Sequence, residues 1–132
     1  MLLLDTHAWL WARSSPNRLS AHARSLIKSE PLCISAISCW EVATLVRLGR
    51  IELDRDIDTW IGRALAEQPT VSVVPVSREI ATVAGQLDSA FPGDPADRII
   101  FSTAIQMKCS LLTKDRKLRS FSKTQTVWNY EP

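Results

Sequence analysis

The sequence predicts an α/β fold, a central, mostly parallel β-sheet covered by helices on both faces. Three observations predict it. Short apolar or β-branched runs alternate with helical patterns along all 132 residues. The runs Met1-Leu2-Leu3-Leu4 and Leu111-Leu112 are each followed closely by an acid, Asp5 and Asp115, placing those acids at carboxyl ends of strands, where open α/β sheets bind ligands. No repeat, low-complexity stretch or linker interrupts the order, so residues 1–132 are expected to form one domain.

The elements follow in order. Residues 1–5 read as a buried strand and 6–13 as a short helix. Ser20 caps a helix over 21–29, and Leu32-Cys33-Ile34-Ser35 is a short strand. A helix over 37–48 ends at Gly49, and another over 56–68 stops before Pro69. The β-branched segment from Val71 to Val76 is a strand, with Pro75 marking its end. Ser77 caps a helix reaching Ala90, and Phe91-Pro92-Gly93 is a loop. Asp94 then caps a helix to Lys108, with Pro95 in its first turn. Ser110 to Thr113 and Thr126-Val127-Trp128 are the last strands.

Composition excludes several classes. Apolar residues are 45% and charged residues 23%, as in soluble globular proteins. The N-terminus has no basic n-region and Asp5 breaks its apolar stretch. Neither a signal peptide nor a transmembrane helix is expected, and the cytoplasm is the expected location. Cys33, Cys39 and Cys109 are odd in number and scattered, with no zinc-ligand spacing, and read as small apolar fillers. A net charge of +2 does not by itself argue for nucleic acid. Its distribution says more: Lys108, Lys114, Arg116, Lys117, Arg119 and Lys123 surround one acid, Asp115. That stretch is either a solvated face or a surface for a polyanion.

Two more acids interrupt apolar patterns. At about 100° per residue, Ile37, Trp40, Thr44, Leu45 and Leu48 share one face of their helix, and Glu41 falls in its middle. Asp97 falls in the apolar face formed by Ala96, Ile100, Phe101, Ala104 and Met107. Each acid has a structural alternative. Asp5 and Asp115 suit turns after strands, Glu41 can pair with an arginine, and Asp97 suits the positive end of a helix. Asp94 is explained by its cap. Four acids at comparable places point to one shared site. Clustered carboxylates repel unless a cation joins them, and all-oxygen donors suit Mg²⁺ or Mn²⁺. One such ion can activate water and a second can stabilise a leaving oxygen, so a phosphodiester fits the site and its basic surroundings.

Leu3-Leu4-Asp5-Thr6-His7, Ser38-Cys39-Trp40-Glu41, Asp94-Pro95-Ala96-Asp97-Arg98 and Leu112-Thr113-Lys114-Asp115 resemble the PIN-domain ribonucleases, and above all the VapC-type toxins of toxin–antitoxin pairs. The ordered set runs from residue 1 almost to the end. The resemblance implies a PIN-like fold and a Mg²⁺- or Mn²⁺-dependent endoribonuclease whose catalytic and metal-binding acids are Asp5, Glu41, Asp97 and Asp115. It matches Thr6 and Thr113 to hydroxyls that orient water or a phosphate oxygen. It also implies an RNA substrate, a cognate antitoxin and a homodimer. Ala96 departs from the pattern, where similar sequences often carry an aromatic residue.

Other residues near these motifs carry open readings. Arg98 reaches either a phosphate or an acid. His7 either touches substrate or is structural. Trp9, Trp11 and Arg13 either stack on unpaired bases or belong to the core and surface. Cys39, Val42 and Val46 form a second apolar edge on the Glu41 helix, suiting either a subunit or antitoxin contact or the core.

Rival chemistries lack their residues. A haloacid-dehalogenase-like phosphatase wants an acid at position 7, which is His7. A receiver domain wants an Asp after the third strand, and Val74-Pro75-Val76-Ser77 has none. Nucleophile-elbow, P-loop and dinucleotide fingerprints are absent. The remaining rival is a catalytically silent PIN-like module that binds RNA or protein, whose mark would be a missing acid.

Overall fold

The computed structural model describes residues 1–130. The elements are β1 (Leu2–Leu4), α1 (Thr6–Ser14), α2 (Ala21–Ser29), β2 (Leu32–Ser35), α3 (Ala36–Arg47), α4 (Ile57–Ala66), β3 (Val71–Val74), α5 (Arg78–Gln86), α6 (Pro95–Met107), β4 (Ser110–Leu112), α7 (Arg116–Phe121) and β5 (Thr126–Val127). The five strands form one sheet in the order β3-β2-β1-β4-β5, and every pairing is parallel. Strand order runs outward from β1 through β2 to β3, then reverses to β4 and β5. The reversal lies between β1 and β4, and their carboxyl ends carry Asp5 and, three residues beyond Leu112, Asp115.

Alternation along the strands divides the core. Leu2, Leu4, Leu32, Ile34 and Leu112 face one layer with Trp9, Ala23, Ile27 and Trp60 from α1, α2 and α4. Leu3, Cys33 and Leu111 face the other, with Phe91, Ile100, Phe101 and Ala104. Both sheet faces are thus dry, as continuous apolar strands require. All three cysteines are free thiols; Cys33 and Cys109 are buried. No helix among the described residues is long and apolar enough to cross a membrane.

Four expectations need correction. The helix α7 and the 3₁₀ turn Pro16–Arg18 were not expected. Only Leu118 of α7 is buried, so a six-residue basic helix carries no apolar period. Helix α5 stops at Gln86 rather than near Ala90, because the Asp88 side chain accepts from the Ala90 N–H and its carbonyl from Phe91 N–H, forming a turn instead. Helix α3 buries parts of both edges. Val42 is fully buried, and Cys39, Leu45 and Ile37 pack against the core, whereas Trp40 is 58% and Leu48 51% exposed. Val42 and Cys39 are therefore core. Met107, expected in the buried face of α6, is also exposed.

Candidate active site

The site begins at the end of β1. Asp5 is the N-cap of α1, its Oδ1 accepting from the Thr6 backbone N–H at 2.6 Å. Thr6 is buried and its hydroxyl donates to Glu41 Oε1 at 2.6 Å, joining α1 to α3. Ser38, one turn before Glu41 and fully buried, lies 2.8 Å from the same hydroxyl. A threonine has one proton to give. With Glu41 ionised it goes to the carboxylate, and Ser38 donates to Thr6.

The other side of Asp5 repeats the pattern. Thr113, fully buried just past β4, donates its hydroxyl to Asp5 Oδ2 at 2.7 Å and accepts from the Asp115 N–H at 3.1 Å. Asp115 is exposed and caps α7, its Oδ1 accepting from the Lys117 and Leu118 N–H groups. Glu41, Thr6, Asp5, Thr113 and Asp115 thus form one continuous hydrogen-bonded line across the switch point of the sheet.

Asp97 approaches from α6. It shares a capping box with Asp94: Asp94 Oδ1 accepts from the Asp97 N–H at 2.8 Å, and Asp97 Oδ2 from the Asp94 N–H at 3.2 Å. Gly93 packs directly against it. A Cβ at Gly93 would sit 2.5 Å from Asp97 Cβ and 2.7 Å from Phe91 Cε1. Arg98 does not pair with an acid. Its guanidinium donates to the backbone carbonyls of Ala84 in α5 and of Leu87 and Asp88 just after it, and lies over the Phe91 ring.

Burial and mutual repulsion act on the same carboxyls. Burial pushes the Asp5 carboxyl above its ordinary value, against the Thr113 hydroxyl, His7 and the Thr6 N–H, and Asp115 pushes the same way as burial. Burial also raises Glu41, opposed by Thr6 and reinforced by Asp5 and Asp94. Asp97 is pushed up to about 7 by burial, then by Asp94 and Asp5. Among the described residues none of Asp5, Glu41, Asp97 and Asp115 forms an ion pair. The all-oxygen, under-neutralised donor set suits a hard cation. In this conformation no trio of His, Cys, Asp or Glu among the described residues is drawn close enough to hold one.

The remaining residues separate cleanly. Trp9 is fully buried and edge-on to Trp60, so it is core. Arg13 donates to the carbonyls of Glu67, Gln68 and Pro69, closing the segment after α4. Neither is placed to stack on a base. His7 is exposed, 5.7 Å from Trp11, whose ring also has Lys114 and Arg18 over it. Sequence reasoning gave no role to Ser38 and read Gly93 only as loop. A glycine two residues after Phe91 and one before a cap was the available signal for close packing.

Comparison with known proteins follows the geometry. A PIN domain model matches residues 2–124. Ribonuclease VapC22 from Mycobacterium tuberculosis is 40% identical over 130 residues, covering 96% of this chain and 98% of that protein. The toxin–antitoxin complex from Klebsiella pneumoniae superposes with a TM-score of 0.70 at 22% identity over all of both chains. VapBC2 from Rickettsia felis, bound to a DNA fragment from its promoter, does so with a TM-score of 0.70 at 17% identity over 97% and 98%. The two solved structures speak for the fold. The family model and the 40% identical relative, each spanning nearly the whole chain, make this protein a member of the PIN-domain family, of the VapC type.

Proposed function

We propose that the chain is a Mg²⁺-dependent endoribonuclease and the toxin of a type II toxin–antitoxin pair, acting in the cytoplasm as a single-domain homodimer restrained by a cognate antitoxin. The observation that carries the catalytic reading is the hydrogen-bonded line through Glu41, Thr6, Asp5, Thr113 and Asp115, with Asp97 close enough to repel Asp5 and no ion pair to these acids among the described residues. The ribonuclease VapC22 likeness supplies the substrate class, and the toxin–antitoxin complexes supply the partner.

Asp5, Glu41, Asp97 and Asp115 would hold Mg²⁺, with Mn²⁺ as a substitute. The ion, when bound, supplies positive charge for the phosphodiester and lowers the pKa of water. The chain does the rest. Thr113 and the Thr6 N–H hold both Asp5 oxygens in place. Ser38 fixes the Thr6 hydroxyl, which in turn orients Glu41. Burial raises the Glu41 and Asp97 carboxyls, and a cation beside them would favour the ionised forms that hold it.

One observation favours the silent-module reading: Asp97 and Asp115 both have structural duties as helix-capping groups. Cleavage of single-stranded RNA decides between the two. The nuclease reading expects cutting in millimolar Mg²⁺, none in EDTA, and loss by about a hundredfold or more in Asp5→Asn. RNA binding without cleavage, at any metal concentration, would leave only the silent module.

A further inference from the structure

A groove of about 700 Å³ opens along the exposed edge of the sheet. Its floor is β5 and Trp128, one wall is α7 with Arg116, Arg119 and the following Lys123, and the other holds His22 of α2 and Tyr130. Among the described residues no acid lines it, nor any of the four site carboxylates. Three cations face one hollow. Arg116 and Lys123 are exposed, and among the described residues their side chains make no hydrogen bond or ion pair. Arg119 gives Nη2 to the Lys114 carbonyl, but its Nε, buried in the wall, has no partner among the described residues. An unspent guanidinium donor beside two free cations is a place for anionic oxygens.

The opposite wall has a different chemistry. Tyr130 is 70% exposed and its ring meets His22 edge-on, with centroids 5.7 Å apart. A large exposed ring braced by a second ring is a platform for a flat partner. Anionic oxygens on one side and flat aromatic faces on the other describe a single-stranded nucleic acid better than an acidic peptide, which would have no use for the platform.

The groove also communicates with the acids. Arg116 directly follows Asp115, and Trp128 in its floor meets Trp11, whose ring lies under Lys114. Helix α7, six residues long, spans about 9 Å. We infer that this groove is a single-stranded RNA subsite, in which Arg116, Arg119 and Lys123 bind phosphates and Tyr130 with His22 stacks a base, a short way along the strand from the bond that is cut.

The inference rests on the ribonuclease reading, and its test keeps the two apart. Binding of a fluorescent single-stranded RNA to the full chain is measured in EDTA, where nothing is cut, for wild type, Arg116→Gln/Lys123→Gln and Tyr130→Ala. Glutamine keeps helix propensity, and both basic positions are exposed. The double variant should bind roughly tenfold more weakly, and its slope of log affinity against log salt should shrink by about 1.4, for two phosphates lost. Tyr130→Ala should weaken binding roughly tenfold with the slope unchanged. Wild-type affinity and slope in the double variant overturn the subsite, as does a wild-type chain that binds no RNA. A double variant that keeps RNA but loses a polyglutamate peptide assigns the groove to an acidic protein segment and overturns it too. Groove-dependent binding by a chain that cuts no RNA upholds the subsite and removes the nuclease reading.

Discussion

Thr113 gives its hydroxyl proton to Oδ2 of Asp5, 108 positions away in sequence, at 2.7 Å. The bond crosses the place where strand order reverses, and it fixes the carboxylate that stands nearest the centre of the acidic line. It also lowers a carboxyl that burial raises. A methyl in place of this hydroxyl would fill the same buried space and leave Asp5 and the Asp115 N–H each short of a partner.

Thr113→Val is therefore expected to lower stability by about 1–3 kcal/mol in denaturant unfolding. Asp5 should then hold its proton to higher pH. The acid limb of the cleavage pH profile should move upward, and Thr113→Ser should bring both quantities back. A valine variant with native stability and an unmoved profile would show that the hydroxyl does not hold Asp5.

Asp97 sets a pH dependence of the metal-free protein. Its carboxyl is pushed up to about 7 from 3.8, by burial first and then by Asp94 and Asp5. Between those values the native state keeps a proton that the unfolded chain has released, so this residue's contribution to stability falls as pH rises through the window. Asp97→Asn is permanently neutral. In EDTA it should melt higher than wild type at pH 8 and at nearly the same temperature at pH 4, where native Asp97 is itself protonated. Equal midpoints at pH 8 would remove the repulsion from the account. The same variant should not cut RNA in Mg²⁺.

How much of this was open to sequence reading varies by residue. Glu41 and Asp97 were visible because they interrupt apolar periods, and Asp5 and Asp115 because they close apolar runs. That β1 and β4 are neighbours was not visible, since strand order is a long-range property, and without it Thr113 and Asp5 cannot be paired. The faces of α3 were misread because Ile37, Trp40, Val42, Leu45, Val46 and Leu48 make the helix apolar nearly all round. Periodicity then cannot choose a face, and the sheet chose Val42. Helix α7 was missed because its start is written in the Asp115 cap and not in a hydrophobic stripe. Arg98 stood beside an acid in sequence, yet three carbonyl oxygens at the end of α5 were the better partners for a five-donor guanidinium.

Metal binding should be measurable without RNA. A cation that binds only the native state raises the thermal midpoint by mass action, by about 2.7 kcal/mol of stability at a hundred times its dissociation constant. Millimolar Mg²⁺ should therefore raise the midpoint of the wild-type chain. Asp5→Asn should abolish the rise, since its carboxylate is coupled by charge to the other three or by their shared neighbours. No rise in wild type with Mg²⁺ or Mn²⁺ would argue that the acids do not hold a hard cation. A rise that persists in Asp5→Asn would place the ion elsewhere.

Gly93 tests the position of Asp97 by steric means. Its Cβ-free backbone lets Asp97 Cβ come to where a methyl would be only 2.5 Å away, and Phe91 closes the other side at 2.7 Å. Phe91 cannot yield easily. It is buried and packed at about 5 Å against the rings of Phe101 and Phe121. Gly93→Ala must therefore displace the first turn of α6, and overpacking of this kind typically costs about 1–3 kcal/mol. Denaturant unfolding should show that loss, and the displaced Asp97 should weaken both the Mg²⁺-induced rise in midpoint and RNA cleavage. Gly93→Ser should be no better, because the added hydroxyl still needs the same Cβ. An alanine variant with native stability and a native response to Mg²⁺ would mean that the loop from Phe91 to Asp94 relaxes freely and that Asp97 does not depend on it.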